Sequence, residues 1–509
     1  MQNDELEPNG PDAPYAHLLA MAREVQLLQS SAALLSWDQE TFMPPEGAAH
    51  RAKQLALLAR LAHERVAGAE FAGLLDEAAA APTDPAAAVN LRELRRLHER
   101  AVRVPPGLVA ELAETTSLAQ GEWAAARAAS DFARFAPWLE KLLQLSRRRA
   151  ECLGWPAGGE AWDALAEDFE PGMTAQQIAP LFASLRGPLG ELVRELRERG
   201  QEPDTALLAP AVPVAAQERL ARLVAEQLGF DFARGRMDLS THPFTTSTCS
   251  RDVRFTSRFR ADHVLDGLGS TMHEVGHGLY EQGLPPTHEG TPLGETVSLG
   301  IHESQSRLWE NHVGRSREFW EWCTPHLQRV LGNPTPPLTA EAVWRAANVV
   351  RPDFIRVEAD EATYNLHIAV RFELELALLR GDLEVAGLPA AWNAGYREHL
   401  GLEVPDDRRG CLQDVHWSCG MFGYFPTYTL GNLYGAQIFE AATRALPGLP
   451  DAIAGGRFAL LRDWLGEQVH AQGSRFTAAE LCERVCGGPL GADAYLRYLG
   501  TKLRAVYRL

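Results

Sequence analysis

Residues 268–283 read LGSTMHEVGHGLYEQG, and the run His273-Glu274-Val275-Gly276-His277 inside them sets the reading of the chain. On a helix, residues four apart lie only ~40° apart round the axis, so the imidazoles of His273 and His277 can reach one ion. Glu274 lies roughly 100° further round from His273. It is placed to hold a water beside the metal rather than the metal itself. A divalent zinc ion makes such a water acidic, and a carboxylate base can then take its proton. Gly276 and Gly278 each weaken a helix interior by about 1 kcal/mol, which predicts that another backbone packs closely there.

A catalytic zinc site usually has three protein ligands and one open position. The position six after His277 is Gly283, which rules out a third histidine at that spacing. The remaining candidates are Glu281, Glu289, Glu295 and Glu303. Glu281 shares the helix of the two histidines, and one rigid rod cannot wrap all three ligands round an ion. Glu303 stands in Gly300-Ile301-His302-Glu303-Ser304-Gln305-Ser306, thirty positions after His273. That leaves room for a helix, a turn and a returning helix. Glu303 is favoured and Glu295 is the runner-up.

Outward from this centre most of the chain reads as helix. Leu18, Met21, Val25, Leu28, Ala32 and Leu35 form one helical face within Ala16–Ser36, and the Pro44-Pro45 break ends it. Helical patterns follow over Ala49–Glu64 and about 90–130, 133–153, 174–199 and 214–228. Between Phe230 and Phe259 the period changes. Val253, Phe255 and Phe259 alternate with polar residues, a strand pattern. With Gly235–Thr246 this predicts a small antiparallel sheet. Helix resumes near Ala261, and a long one is expected over Asp353–Arg380, closed by Gly381.

The chain has 509 residues, 46% hydrophobic and 23% charged, enough for a large core without disulfides. Its 49 basic against 67 acidic residues give a net charge of −18, which argues against nucleic acid or an anionic membrane as partner. Seven scattered cysteines with no C-x-x-C pair make no disulfide framework. Met1–Tyr15 is acidic and Pro/Gly-rich, unlike a signal peptide, and no apolar run approaches the ~18–20 residues of a membrane span. A cytoplasmic protein is expected.

Several further segments occur in a fixed order. They are Trp37-Asp38-Gln39-Glu40-Thr41, His242-Pro243-Phe244, Asp252-Val253-Arg254-Phe255-Thr256, HEVGH at 273–277 and HESQS at 302–306. Ile355-Arg356-Val357-Glu358-Ala359-Asp360, Gly410-Cys411-Leu412-Gln413-Asp414-Val415-His416-Trp417 and Gly423-Tyr424-Phe425-Pro426-Thr427-Tyr428 come after them. Together they resemble the thermostable carboxypeptidase Taq family of metallocarboxypeptidases. The resemblance implies one catalytic domain over 1–509, mainly α, with a deep neurolysin-like substrate groove. About 1–200 would form one groove wall, and the metal site and sheet would fall within about 230–430. It also implies removal of single C-terminal residues with broad preference, and a homodimer. By the family's motif His273, His277 and Glu303 hold one divalent cation, zinc ahead of cobalt, and Glu274 is the general base. An endopeptidase or dipeptidase on the same core is the alternative.

Taking only the last residue of a peptide requires recognition of a free carboxylate, for which the planar fork of arginine is suited. Arg254, Arg351 and Arg356 stand in or beside the motifs. Arg356 is preferred, although Asp360 four residues on is a competing partner, as Asp252 is for Arg254. An extended peptide could pair with the edge of the Asp252–Phe259 strand. His416, Tyr424 and Tyr428 are candidate oxyanion donors, and His242 a candidate substrate contact. Asp360, Glu361 and Asp414 are candidates to orient a ligand imidazole.

Overall fold

The computed structural model describes residues 13–80 and 84–509, so most of the acidic N-terminal stretch read above lies outside the described residues. Among the described residues there are twenty α-helices and three short strands, as a mainly helical reading expects. Ala13–Thr41 (α1) buries Leu18, Met21 and Val25 of the predicted stripe. It ends just before Pro44-Pro45, where proline removes a backbone donor and the chain re-enters helix over Ala48–Ala67. The pattern over 90–130 is two helices, Pro85–Arg103 and Pro106–Ala129. Proline cannot continue the first, but it suits the opening turn of the second, where its missing N–H would have had no partner. No described helix is long and apolar enough to cross a membrane.

The small sheet is present but its pairing departs from the expectation. Gly235–Leu239 (β1), Thr245–Cys249 (β2) and Asp252–Ser257 (β3) lie in the order β1-β3-β2. β2 and β3 are antiparallel, whereas β1 and β3 are parallel, so the sheet is mixed. The chain leaves β1 through Ser240–Phe244, returns as β2, and hairpins back into the middle. Alternation of apolar and polar residues marks a strand but carries no information on which neighbour it takes. Because β3 is paired on both sides, the edges of the sheet belong to β1 and β2, and β3 offers none to a peptide.

Val264–Gly283 (α2) packs on β3 and carries the H-E-V-G-H run. Leu299–Arg307 (α3) carries Glu303 and passes directly into a π-helical turn, Leu308–Val313. The long helix expected from Asp353 is Glu361–Arg380 (α4), with a single 3₁₀ turn at Arg356–Glu358 before it. Asp360 is the reason. Its side chain accepts the backbone N–H groups of Ala362 and Thr363, so the helix begins there. Pro426–Ala445 (α5) lies along α3.

The chain forms two compact units. The first gathers the segments up to Arg103, Val212–Val297 and Gly456–Thr477. In it α1 sets Leu18, Met21 and Ala22 against Phe71, Leu75, Leu91 and Leu94. The second gathers Val104–Ala211, Ser298–Gly455 and Ala478–Leu509. Its centre is α4, buried on almost every face from Glu361 to Leu379.

Candidate metal centre

His273 and His277 stand one turn apart on α2, their ring centroids 4.9 Å apart and their planes crossed at 81°. With Glu303 of α3 they form a group in which one ligand atom from each lies within 4.8 Å of the others. Two imidazole nitrogens and a carboxylate oxygen are a donor set that suits zinc and its divalent neighbours, so the residues present fit a metal ion.

Glu274 is 5% exposed and points to the sheet. The hydroxyl of Thr245 on β2 lies 2.7 Å from its Oε2 and 2.9 Å from its backbone oxygen. Opposed residues of an antiparallel pair share a face, so Thr245 with Phe255 and Ser247 with Val253 face α2. Ser247 likewise donates to Glu281 one turn beyond His277, at 2.8 Å. Gly278 is explained by the same packing, with a correction. A Cβ there would come within 2.7 Å of the Phe230 ring, so a side chain and not a backbone makes the close approach.

Glu303 is 8% exposed, and Arg307 one turn along donates from Nε to its Oε1 at 2.7 Å. The first turn of α3 is held twice. Ser298 Oγ accepts the N–H of Ile301 at 3.1 Å, and the buried Glu170 carboxylate accepts that of Gly300 at 2.9 Å. Burial pushes the Glu170 carboxyl up to about 7 despite these donors. The Glu303–Arg307 spacing was open to a sequence reading at i,i+4. Thr245 and Glu170 carry no such local signal, because their partners are distant in the chain.

Arg356 is not on a helix with Asp360, so the one-turn ion pair expected between them does not exist. It is 5% exposed. Its Nε donates to Asp414 at 2.9 Å and its Nη1 to the Tyr364 hydroxyl at 3.0 Å, with its cation 4.8 Å from the centre of the Tyr428 ring. Arg371, absent from the sequence reading, grips the other oxygen of Asp414 at 2.7 Å. His416 Nε2 lies 3.1 Å from the Tyr428 hydroxyl, and Tyr424 and Tyr428 pack edge to face. Burial, reinforced by Arg356, lowers the His416 imidazole to about 3, so it is neutral at ordinary pH. Burial raises the Tyr424 phenol to about 12 and also holds that of Tyr428 well above the ordinary phenol range.

Arg254 faces away from Glu274. It opposes Thr246 and Arg236, on the other face of the sheet, where it stacks 4.6 Å from the Trp37 ring. Both ends of its fork bind Asp252, at 2.8 and 2.9 Å. His242 is exposed in the Ser240–Phe244 turn, where its carbonyl accepts from Ser240. Arg351 is paired with Glu202. Of the acids considered as imidazole orienters, Asp360 caps α4, Glu361 meets the Lys502 ammonium, and Asp414 lies between two arginines.

A mainly helical chain that gathers two histidines of an H-E-x-x-H helix and a later glutamate defines a metallopeptidase, a metal-dependent hydrolase of peptide bonds. Residues 17–503 match the carboxypeptidase Taq (M32) metallopeptidase family, and the chain belongs to it. It is 46% identical to thermostable carboxypeptidase 1 of Thermus thermophilus, over 98% of this chain and 99% of that one. It is 34% identical to carboxypeptidase 1 of Bacillus subtilis, over 96% and 98%. Its fold is similar to the crystal structure of the M32 carboxypeptidase from Deinococcus radiodurans R1, with a TM-score of 0.95 and 41% identity over 98% of this chain and all of that one.

Proposed function

We propose that the chain removes single residues from the free C-termini of peptides with broad preference, with His273, His277 and Glu303 holding one divalent cation. Zinc fits the nitrogen and oxygen donors, and cobalt is the alternative. The observation that carries the reading is the convergence of those three side chains within 4.8 Å, next to a glutamate fixed by Thr245. The bound cation would polarise water and the scissile carbonyl. Glu274 is the general base. It takes the proton of the attacking water and delivers it to the departing amine, while Thr245 on Oε2 keeps the carboxylate in one orientation.

Tyr424 and Tyr428 are neutral phenols across the working pH range, so each keeps a hydrogen to donate to a developing oxyanion. The neutral His416 lies beside them with its Nε2 paired to the Tyr428 hydroxyl, so that pair supplies one donor to the oxyanion and Tyr424 the other. Arg356, whose cation lies beside Tyr364 and Tyr428, anchors the terminal carboxylate in preference to Arg254, which stands on the face of the sheet turned away from Glu274. His242 contacts substrate from its exposed turn. The protein works as a homodimer in the cytoplasm.

Mass spectrometry of a mixed peptide pool tests the reading. The expected result is a ladder losing one residue at a time from the carboxyl end. The ladder should vanish with chelator and return with zinc, and C-terminally amidated peptides should be spared. Internal cuts, loss of residues in pairs, or equal cleavage of the amides would contradict it.

A further inference from the structure

We infer that Gly431 of α5 is a positioning residue for Glu303, setting where its carboxylate stands relative to His273 and His277. The inference rests on Glu303 being a ligand, as proposed above. α5 is a buried helix, in whose interior glycine is the poorest choice after proline. Two glycines nevertheless stand one turn apart on it, and both face α3. A Cβ at Gly431 would strike Glu303 itself, meeting its Cγ and lying 2.6 Å from its Cβ and 3.1 Å from its carbonyl carbon. A Cβ at Gly435 would lie 3.1 Å from the backbone oxygen of Ser304, the next residue. The first contact is with the stem of the proposed ligand and the second with backbone, so neither can be relieved by swinging a flexible tip aside.

Nor can α3 simply withdraw. Its first turn is tied to Glu170, and the π-helical turn that continues it is tied to Tyr498, whose hydroxyl donates to the backbone oxygen of Asn311 at 2.9 Å. A methyl group at 431 therefore acts mainly on the Glu303 side chain. A rotamer change moves Cγ but leaves Cβ in place, so the rest of the overlap shifts α3 at Glu303, and both movements take the carboxylate oxygen out of reach of the ion. Helix propensity alone predicts that Gly431→Ala strengthens α5, and the contact with Glu303 predicts weaker metal binding together with a loss of stability from overpacking.

The test measures zinc affinity by competition with a chromophoric chelator, and thermal unfolding of the metal-stripped full chain. Gly431→Ala, Gly435→Ala, Glu303→Ala and Gly121→Ala are compared with the parent. Gly121 lies in a helix with nothing near its Cβ position, so it reports the effect of a glycine replacement alone. The expected result is zinc binding weakened about 10–100-fold by Gly431→Ala, in a metal-free chain that still unfolds cooperatively but at a lower temperature than the parent. Gly435→Ala should weaken binding less, and Gly121→Ala not at all. Parental zinc affinity in Gly431→Ala, with affinity lost in Glu303→Ala, would overturn the inference and leave the ligand assignment standing. Parental affinity in Glu303→Ala would overturn the ligand assignment and the inference with it. If Gly431→Ala does not fold, Gly435→Ala decides, and unchanged affinity there counts against the inference.

Discussion

Glu274→Gln is expected to lower kcat by about 10²–10⁴-fold while zinc binding stays at the parental level. The amide keeps the size of the carboxylate and can still accept from the Thr245 hydroxyl, which lies 2.7 Å from Oε2. What it loses is the ability to take up a proton from water and pass it to the leaving amine. Glu274 is buried and set against β2 on the same helix as the two histidines, so its replacement leaves their spacing intact. KM should change little, because the substrate is held by other groups. Assay of kcat on a short free-acid peptide, with zinc quantified in the same sample, separates the two effects. Turnover within a few-fold of the parent would remove Glu274 from the chemistry. Loss of zinc along with turnover would show that its role is structural.

The second large effect is on stability. Asp414→Asn is expected to cost about 3–5 kcal/mol, because it leaves two buried guanidinium groups without a counter-charge. Arg371 is fully buried and Arg356 nearly so, and each places Nε on its own oxygen of Asp414, at 2.7 and 2.9 Å. An amide offers one acceptor in place of two and points an N–H₂ at the other cation. Burial alone would raise the Asp414 carboxyl, but Arg371 and then Arg356 hold it well below the carboxylate range. A depressed acid contributes its stability above its unfolded value of ~3.9 and loses it only as the pH falls below that. Denaturant unfolding of parent and variant should thus show a difference that is flat from pH 8 to 5 and shrinks below about 4. A difference under about 1 kcal/mol, or one that changes between pH 5 and 8, would contradict this account.

How much of this was legible in the sequence depended on how local the determinant was. The pairing of His273 with His277 follows from helical period alone, whereas rejecting Glu281 left Glu289, Glu295 and Glu303, and Glu303 was favoured by the room for a returning helix and by the family resemblance. The start of α4 was misplaced because Asp353 and Asp360 both suit a helix N-cap, and only the structure shows that Asp360 takes the N–H groups of Ala362 and Thr363. That shift removes the expected Arg356–Asp360 pair and hands Arg356 to Asp414, 58 positions away. The parallel pairing of β1 with β3 is equally non-local. Arg254 sits in a readable strand, yet which face it takes depends on Thr245 meeting Glu274 across 29 positions. Gly431 and Gly435 drew no notice in the sequence, because their meaning requires knowing that α3 lies against them.

The most direct measurement is anomalous diffraction at the zinc edge from crystals of the full chain grown with zinc. The expected map has one strong peak bonded to a nitrogen of His273, a nitrogen of His277 and an oxygen of Glu303, each at about 2.0–2.2 Å. A peak held by the two histidines with Glu303 turned away, or one centred on other residues, would contradict the account.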